Sequence, residues 1–222
     1  MKRLYRDTPW RPPRPEMLEI QGPAGPLEAI VEDPDGEPPA LAVVCHPHPL
    51  YQGTMRNKVV HTVARAANRL GAPAVRFNFR GVGASAGAWD EGRGETEDAL
   101  AVIEWARRRW PQRPLWLAGF SFGAFVALRA AAAAVPAALV TVAPPVSRFP
   151  VGATPDPGCP WLVVQGEADE LVDYREVVAW AEARPAARLA LLPETSHFFH
   201  GRLAELQQVV QEFLHEAQEP PS

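Results

Sequence analysis

From Ala40 onward the chain repeats one rhythm: a short continuous apolar run, a loop, then a helical pattern. Runs of strand length recur at Ala40–Cys45, Ala74–Phe79, Leu115–Gly119, Ala138–Val142, Trp161–Gln165 and Ala187–Leu192. Between or after them come helical stretches at Asn57–Leu70, Thr96–Trp110, Phe122–Ala134, Tyr174–Ala183 and Arg202–His215. A strand that is apolar at every position is buried on both faces, so helices must cover both faces of its sheet. Alternation of this kind predicts an α/β fold with a mostly parallel central sheet. Two earlier runs, Met17–Ile20 and Leu27–Val31, flank Gly22-Pro23 and Gly25-Pro26 and read as a hairpin or a pair of edge strands, which brings the sheet to about eight strands. In such sheets ligands bind beyond the carboxyl ends of the strands, so functional residues belong in strand-to-helix loops.

Composition removes several function classes. The 22 basic and 26 acidic residues give a net charge of −4, which excludes a nucleic-acid binder held by bulk positive charge. No apolar run reaches the roughly 18 residues of a membrane span. Two cysteines, Cys45 and Cys159, make neither a disulfide framework nor a four-cysteine zinc site. Lys2, Arg3, Arg6, Arg11 and Arg14 against Asp7 charge the N-terminus positively, and no apolar segment of signal-peptide type follows. These features make the cytoplasm the expected compartment. Residues 1–222 read as a single domain, with 1–15 a basic arm lying on the body and 216–222 a frayed end.

The chemistry starts at Gly119-Phe-Ser121-Phe-Gly123. A bare G-x-S-x-G arises by chance in roughly 5–10% of chains of this length, given ordinary glycine and serine usage. Here it lies between an apolar strand and a helix, where a sharp turn sets a serine at the sheet's carboxyl edge and at a helix N-terminus. The bland alternative is an ordinary serine N-cap. A serine nucleophile requires a base. His197 follows the last strand by the short loop Pro193–Ser196 and lies downstream of Ser121; His200 is its rival. His61 and His215 fall on helices. The acid belongs after an intervening strand, and Asp169 stands four residues past Gln165. Asp173 reads as a helix N-cap, and Glu167 and Glu170 as solvated.

The strand ending at Cys45 runs into His46-Pro-His48-Pro-Leu50-Tyr51-Gln52-Gly53. An oxyanion held by backbone N–H groups draws one donor from the residue after the nucleophile, Phe122, and one from this early loop. Proline has no N–H, which leaves His48 or Leu50, with His48 favoured by its offset. Arg80-Gly81-Val-Gly83 opens a glycine-rich loop whose spacing fails the dinucleotide pattern, and Arg80 reads as bonded to nearby backbone. The same loop carries Trp89 over the expected site. Tyr51, Trp89, Phe120 and Phe198 are the expected pocket lining.

Several blocks in order, His46–Met55 with Asn57-Lys58, Phe77–Ser85, Asp90–Glu95, Gly119–Gly123 and Thr195–Gly201, resemble the small bacterial α/β-hydrolases related to dienelactone hydrolases and lidless esterases. The resemblance spans roughly Ala40 to Gly201. It implies an α/β-hydrolase fold and a serine hydrolase with Ser121, Asp169 and His197 as triad. Gln52 departs from the glycine usual in the group. Ser121 departs from the cysteine of true dienelactone hydrolases, which argues against that activity. The combined expectation is a serine carboxylic-ester hydrolase that uses no metal or organic cofactor. Its expected partner is a small-molecule ester, and neither nucleic acid nor membrane. A thioesterase or peptidase with the same residues, and a non-catalytic binding protein, are the alternatives. The 18 residues Ala143–Pro160 hold six prolines, so they cannot build a packed helical cap and are expected to cross the sheet edge, leaving the Trp89 loop as cover.

Overall fold

A computed structural model describes residues 10–218. Lys2, Arg3, Arg6 and Asp7 of the basic arm, and residues 219–222 of the expected frayed end, lie outside these. Eight strands form one sheet in the order β1-β2-β4-β3-β5-β6-β7-β8. β1 (Pro15–Gly22) and β2 (Gly25–Glu32) are an antiparallel hairpin, and β2 pairs antiparallel with β4 (Ala74–Phe77). All other pairings, through β3 (Leu41–Cys45), β5 (Leu115–Phe120), β6 (Ala138–Val142), β7 (Trp161–Gly166) and β8 (Ala187–Leu192), are parallel. β3, β5, β6 and β7 are buried at every residue, as their largely apolar sequences require, with Thr141 and Gln165 the buried polar members.

Helices cover both faces. α1 (Lys58–Arg69) and α5 (Leu203–Glu216) share one apolar cluster with Ala42, Val44, Trp116 and Phe120. α2 (Arg93–Arg109), α3 (Phe122–Ala134) and α4 (Tyr174–Glu182) share the other, with Val43, Leu117 and Trp161. The strand order reverses between β3 and β5, so the loops after these two strands open toward one crevice.

α2 begins at Arg93, three residues before the periodicity places it, because Glu95 caps it. The Glu95 carboxylate accepts the Gly92 and Asp90 N–H groups at 2.7 and 2.9 Å. Arg80 also departs from expectation. Its guanidinium is not on nearby backbone; Nε and Nη2 donate to Asp98 of α2 at 3.0 and 2.8 Å, and its own N–H donates to Asp98 as well. The Asp98 side chain has no solvent exposure, so this bidentate pair neutralises a buried carboxylate and pins the glycine-rich loop to α2. At the start of the described chain, the Trp10 ring lies under Arg69 and Arg65, at 4.0 and 4.9 Å from their guanidinium carbons, which lays this part of the arm on α1.

The segment from Ala143 to Pro160 contains a single 3-10 turn, Val151–Ala153, and no packed helix. Among the described residues no cap domain stands over the carboxyl edge of the sheet.

Candidate active site

Ser121 sits between β5 and α3 with φ 54° and ψ −122°, a backbone conformation costly for any residue with a side chain. Its N–H is held by the Val142 carbonyl at 2.8 Å. Its side chain caps no helix N–H, which removes the ordinary N-cap reading and leaves Oγ free. The turn is possible because two neighbours lack Cβ atoms. A Cβ on Gly119 would stand 2.0 Å from the Gly123 carbonyl oxygen, and one on Gly123 would stand 2.4 and 2.5 Å from the carbonyl oxygens of Cys45 and His46. The second contact seats the loop after β3 directly on the elbow. Gly123→Ala should therefore cost about 3 kcal/mol or more, since both obstacles are backbone. In a chain of this size that lowers the midpoint of thermal unfolding by roughly 6–12 °C, measurable by circular dichroism.

The structure brings Ser121, His197 and Asp169 together. His197 Nε2 lies 3.2 Å from Ser121 Oγ, and Nδ1 lies 2.8 Å from Asp169 Oδ2. A carboxylate only accepts, so Nδ1 carries the proton and Nε2 presents its lone pair to the hydroxyl. Asp169 is satisfied on both oxygens. Oδ2 also accepts from Gln165 Nε2 at 3.0 Å, and Oδ1 accepts the Leu171 and Val172 N–H groups at 2.8 Å each. Burial pushes its pKa up, but the His197 bond and charge and the two N–H groups outweigh burial and hold the carboxyl below its usual range. Glu170 is not simply solvated: its carboxylate accepts the His197 N–H at 3.1 Å and steadies the loop. His200 is exposed, its ring centroid 6.1 Å from that of Phe198. Asp173 caps α4 through the Arg175 N–H.

His46 was not among the expected site residues, although its place at the end of an all-apolar strand was the available signal. It is completely buried. Nδ1 lies 2.6 Å from the Pro47 carbonyl oxygen and Nε2 lies 3.0 Å from the Phe79 N–H. The carbonyl can only accept and the amide can only donate, so the ring is neutral with its proton on Nδ1. Burial drives its pKa down to about 3, with the Pro47 bond opposing and His48 adding slightly. The Pro47–His48 peptide is trans, so its N–H points opposite to its carbonyl. By holding the Pro47 carbonyl, His46 turns the His48 N–H away from itself. Among the described residues neither the His48 nor the Phe122 N–H has a protein acceptor. The alternative donor, Leu50, is engaged: its N–H bonds His48 Nδ1 at 3.2 Å.

A cleft of about 590 Å³ opens at Ser121 and His197. Tyr51 and Phe198 line it, as expected, and are 79% and 39% exposed. Trp89 and Phe120 do not. Trp89 stacks behind His48, 4.5 Å between centroids and 29° between planes, and packs on Phe122. Phe120 is the last residue of a strand and points into the α1/α5 layer, buried beneath the His197 ring at 5.0 Å. The cover expected from the Trp89 loop comes instead from the proline-rich segment, which contributes Pro145, Arg148 and Phe149 to the wall. Among the described residues no helix is long and apolar enough to cross a membrane.

A family model described as "alpha/beta hydrolase fold" matches residues 53–158. A lidless α/β serine hydrolase from Xanthomonas campestris is 44% identical, with 97% of this chain and 100% of that one covered and a TM-score of 0.88. An α/β serine hydrolase homologue from Coxiella burnetii is 45% identical over 90% of this chain and 97% of its own, with a TM-score of 0.86. The dienelactone hydrolase of Anabaena variabilis shares the fold at 17% identity, covering 92% of this chain and 98% of that one, TM-score 0.76. With a matching fold, a serine in a strained strand-to-helix turn and full-length likeness at 44% identity, the chain belongs to the α/β-hydrolases, among the serine hydrolases built without a lid.

Proposed function

We propose that this hydrolase cleaves carboxylic esters of small, short-acyl substrates through a covalent acyl-enzyme. The observation that carries this reading is the unbroken chain from Ser121 Oγ through both nitrogens of His197 to Asp169, at 3.2 and 2.8 Å. In the proposed reaction Ser121 Oγ attacks the ester carbonyl carbon while His197 Nε2 takes the hydroxyl proton. The carbonyl π electrons move to oxygen, and the Phe122 and His48 N–H groups hold the oxyanion. Collapse breaks the carbon–alkoxy bond, and His197 returns the proton to the leaving alcohol. Water then attacks the acyl-serine by the same route, releasing the acid and restoring the hydroxyl. Asp169 stays ionised throughout and stabilises the imidazolium. Short chains are favoured because the cleft is open, of modest volume and without a lid to extend it. The same reading places the enzyme in the cytoplasm, acting on dissolved substrate with no cofactor.

The test has two parts. A fluorophosphonate should label Ser121, located by peptide mass spectrometry. An acyl series of p-nitrophenyl esters, run beside acyl thioesters, should peak at short oxygen esters, with rates rising smoothly through the solubility limit. Labelling elsewhere, a strong long-chain or thioester preference, or a rate jump when substrate forms an interface would overturn the proposal.

A further inference from the structure

Among the described residues, the cleft beside Ser121 is lined by aromatic, aliphatic and uncharged polar residues and by one permanent cation, Arg148. The lining holds no Asp or Glu among the described residues; of the two acids bonded to His197, Asp169 has no exposed side-chain surface and is saturated by donors, and the exposed Glu170 carboxylate is engaged by the His197 N–H. Among the described residues Arg148 forms no ion pair and no side-chain hydrogen bond, whereas Arg76, Arg80, Arg93 and Arg202 are all paired. The cation is nonetheless mounted on a fixed base. Its N–H bonds the Pro145 carbonyl at 3.1 Å, and the next ring, Phe149, stacks on Phe125 at 5.1 Å and packs on Phe122 at 5.2 Å. Phe122 directly follows Ser121, so one ring–ring contact couples the residue after the nucleophile to the residue after the cation.

We infer that Arg148 selects esters bearing a carboxylate, either on the acyl part or on the alcohol part. The inference rests on the ester-hydrolase reading above and names its substrate class. An anion entering this cleft meets the exposed Arg148 as the one cation of the lining and no lining carboxylate, Glu170 being held on the His197 N–H beside it. A guanidinium also offers the planar donor fork that a carboxylate fits in bidentate fashion. The chain's net charge of −4 gives no general attraction for anions, so any preference must arise locally.

Two matched pairs test this and separate the two sources. Monoethyl adipate against ethyl pentanoate places the charge on the acyl side. 4-Acetoxybenzoate against 4-acetoxybenzamide places it on the leaving-group side. The wild-type kcat/KM should favour the anionic member of one pair about tenfold or more, and 0.5 M NaCl should reduce that ratio severalfold. Arg148→Gln should abolish the ratio and Arg148→Glu should invert it. Each ratio is taken within one variant, and circular dichroism with a thermal midpoint matching the wild type shows that both variants are folded. No anionic preference in either pair, or a preference that survives Arg148→Gln, overturns the inference while leaving ester hydrolysis standing. Absence of turnover on the neutral esters together with absence of fluorophosphonate labelling instead overturns the underlying reading.

Discussion

Replacing Ser121 by alanine is expected to lower kcat on a short-chain ester by about 10⁴–10⁶, with KM little changed and fluorophosphonate labelling lost. His197→Ala should cost a similar factor, and the double variant little more, because nucleophile and base act as one unit. His200→Ala should stay within about tenfold of wild type, roughly 1.4 kcal/mol of barrier, since His200 is exposed and reaches no reacting atom. Stopped-assay kinetics on purified, correctly folded variants give all four values. Ester turnover that survives Ser121→Ala would identify the protein as a binder whose apparent activity comes elsewhere. Loss on His200→Ala with survival of His197→Ala would invert the assignment of the base.

The parts of this site that were legible in the sequence share a physical cause. Ser121 directly follows an apolar strand, Asp169 and His197 follow theirs by short loops, and a parallel sheet puts all these strand ends at one edge. α3 and β6 have the bounds their apolar patterns give, because α3 is buried nearly all round and Pro136 ends it. β4 is shorter than its pattern, ending at Phe77 where Ala74–Phe79 was expected. The cause is tertiary: the Phe79 N–H leaves the ladder to bond His46. Trp89, Phe120 and Arg80 failed for the same kind of reason. Their positions depend on partners 41, 77 and 18 residues away, namely His48, His197 and Asp98, and no local pattern encodes such pairings. The cleft wall built by Arg148 and Phe149 was hidden by a correct inference, that so many prolines forbid a helical cap. A segment unable to form helices can still fold back as turns over a site.

His46 allows the loop that carries the proposed second oxyanion donor to be tested separately from stability, because its two nitrogens have different tasks. Asparagine places an N–H donor near the position of Nδ1 but offers no acceptor at Nε2. His46→Asn should keep the Pro47 bond, and hence the His48 N–H direction, with kcat within about tenfold. It should leave the buried Phe79 N–H unpaired and lose about 1–3 kcal/mol of stability. Glutamine reaches the Nε2 position with its carbonyl and has no donor near Pro47. His46→Gln should stay closer to wild type in stability but lose about 10²–10³ in kcat, the effect of misaiming one oxyanion donor. Equal losses of kcat in both variants would mean that His46 acts on packing alone. The two variants should also share a change in acid behaviour. The folded His46 pKa, about 3, lies below its unfolded value near 6.5. Between those limits the unfolded chain holds a proton that the folded protein lacks, so stability falls as pH drops through the window. The slope approaches about 1.4 kcal/mol per pH unit, on the order of 5 kcal/mol in all. Urea unfolding at pH 7, 6 and 5 should show this slope in the wild type and a slope shallower by about one proton in both variants.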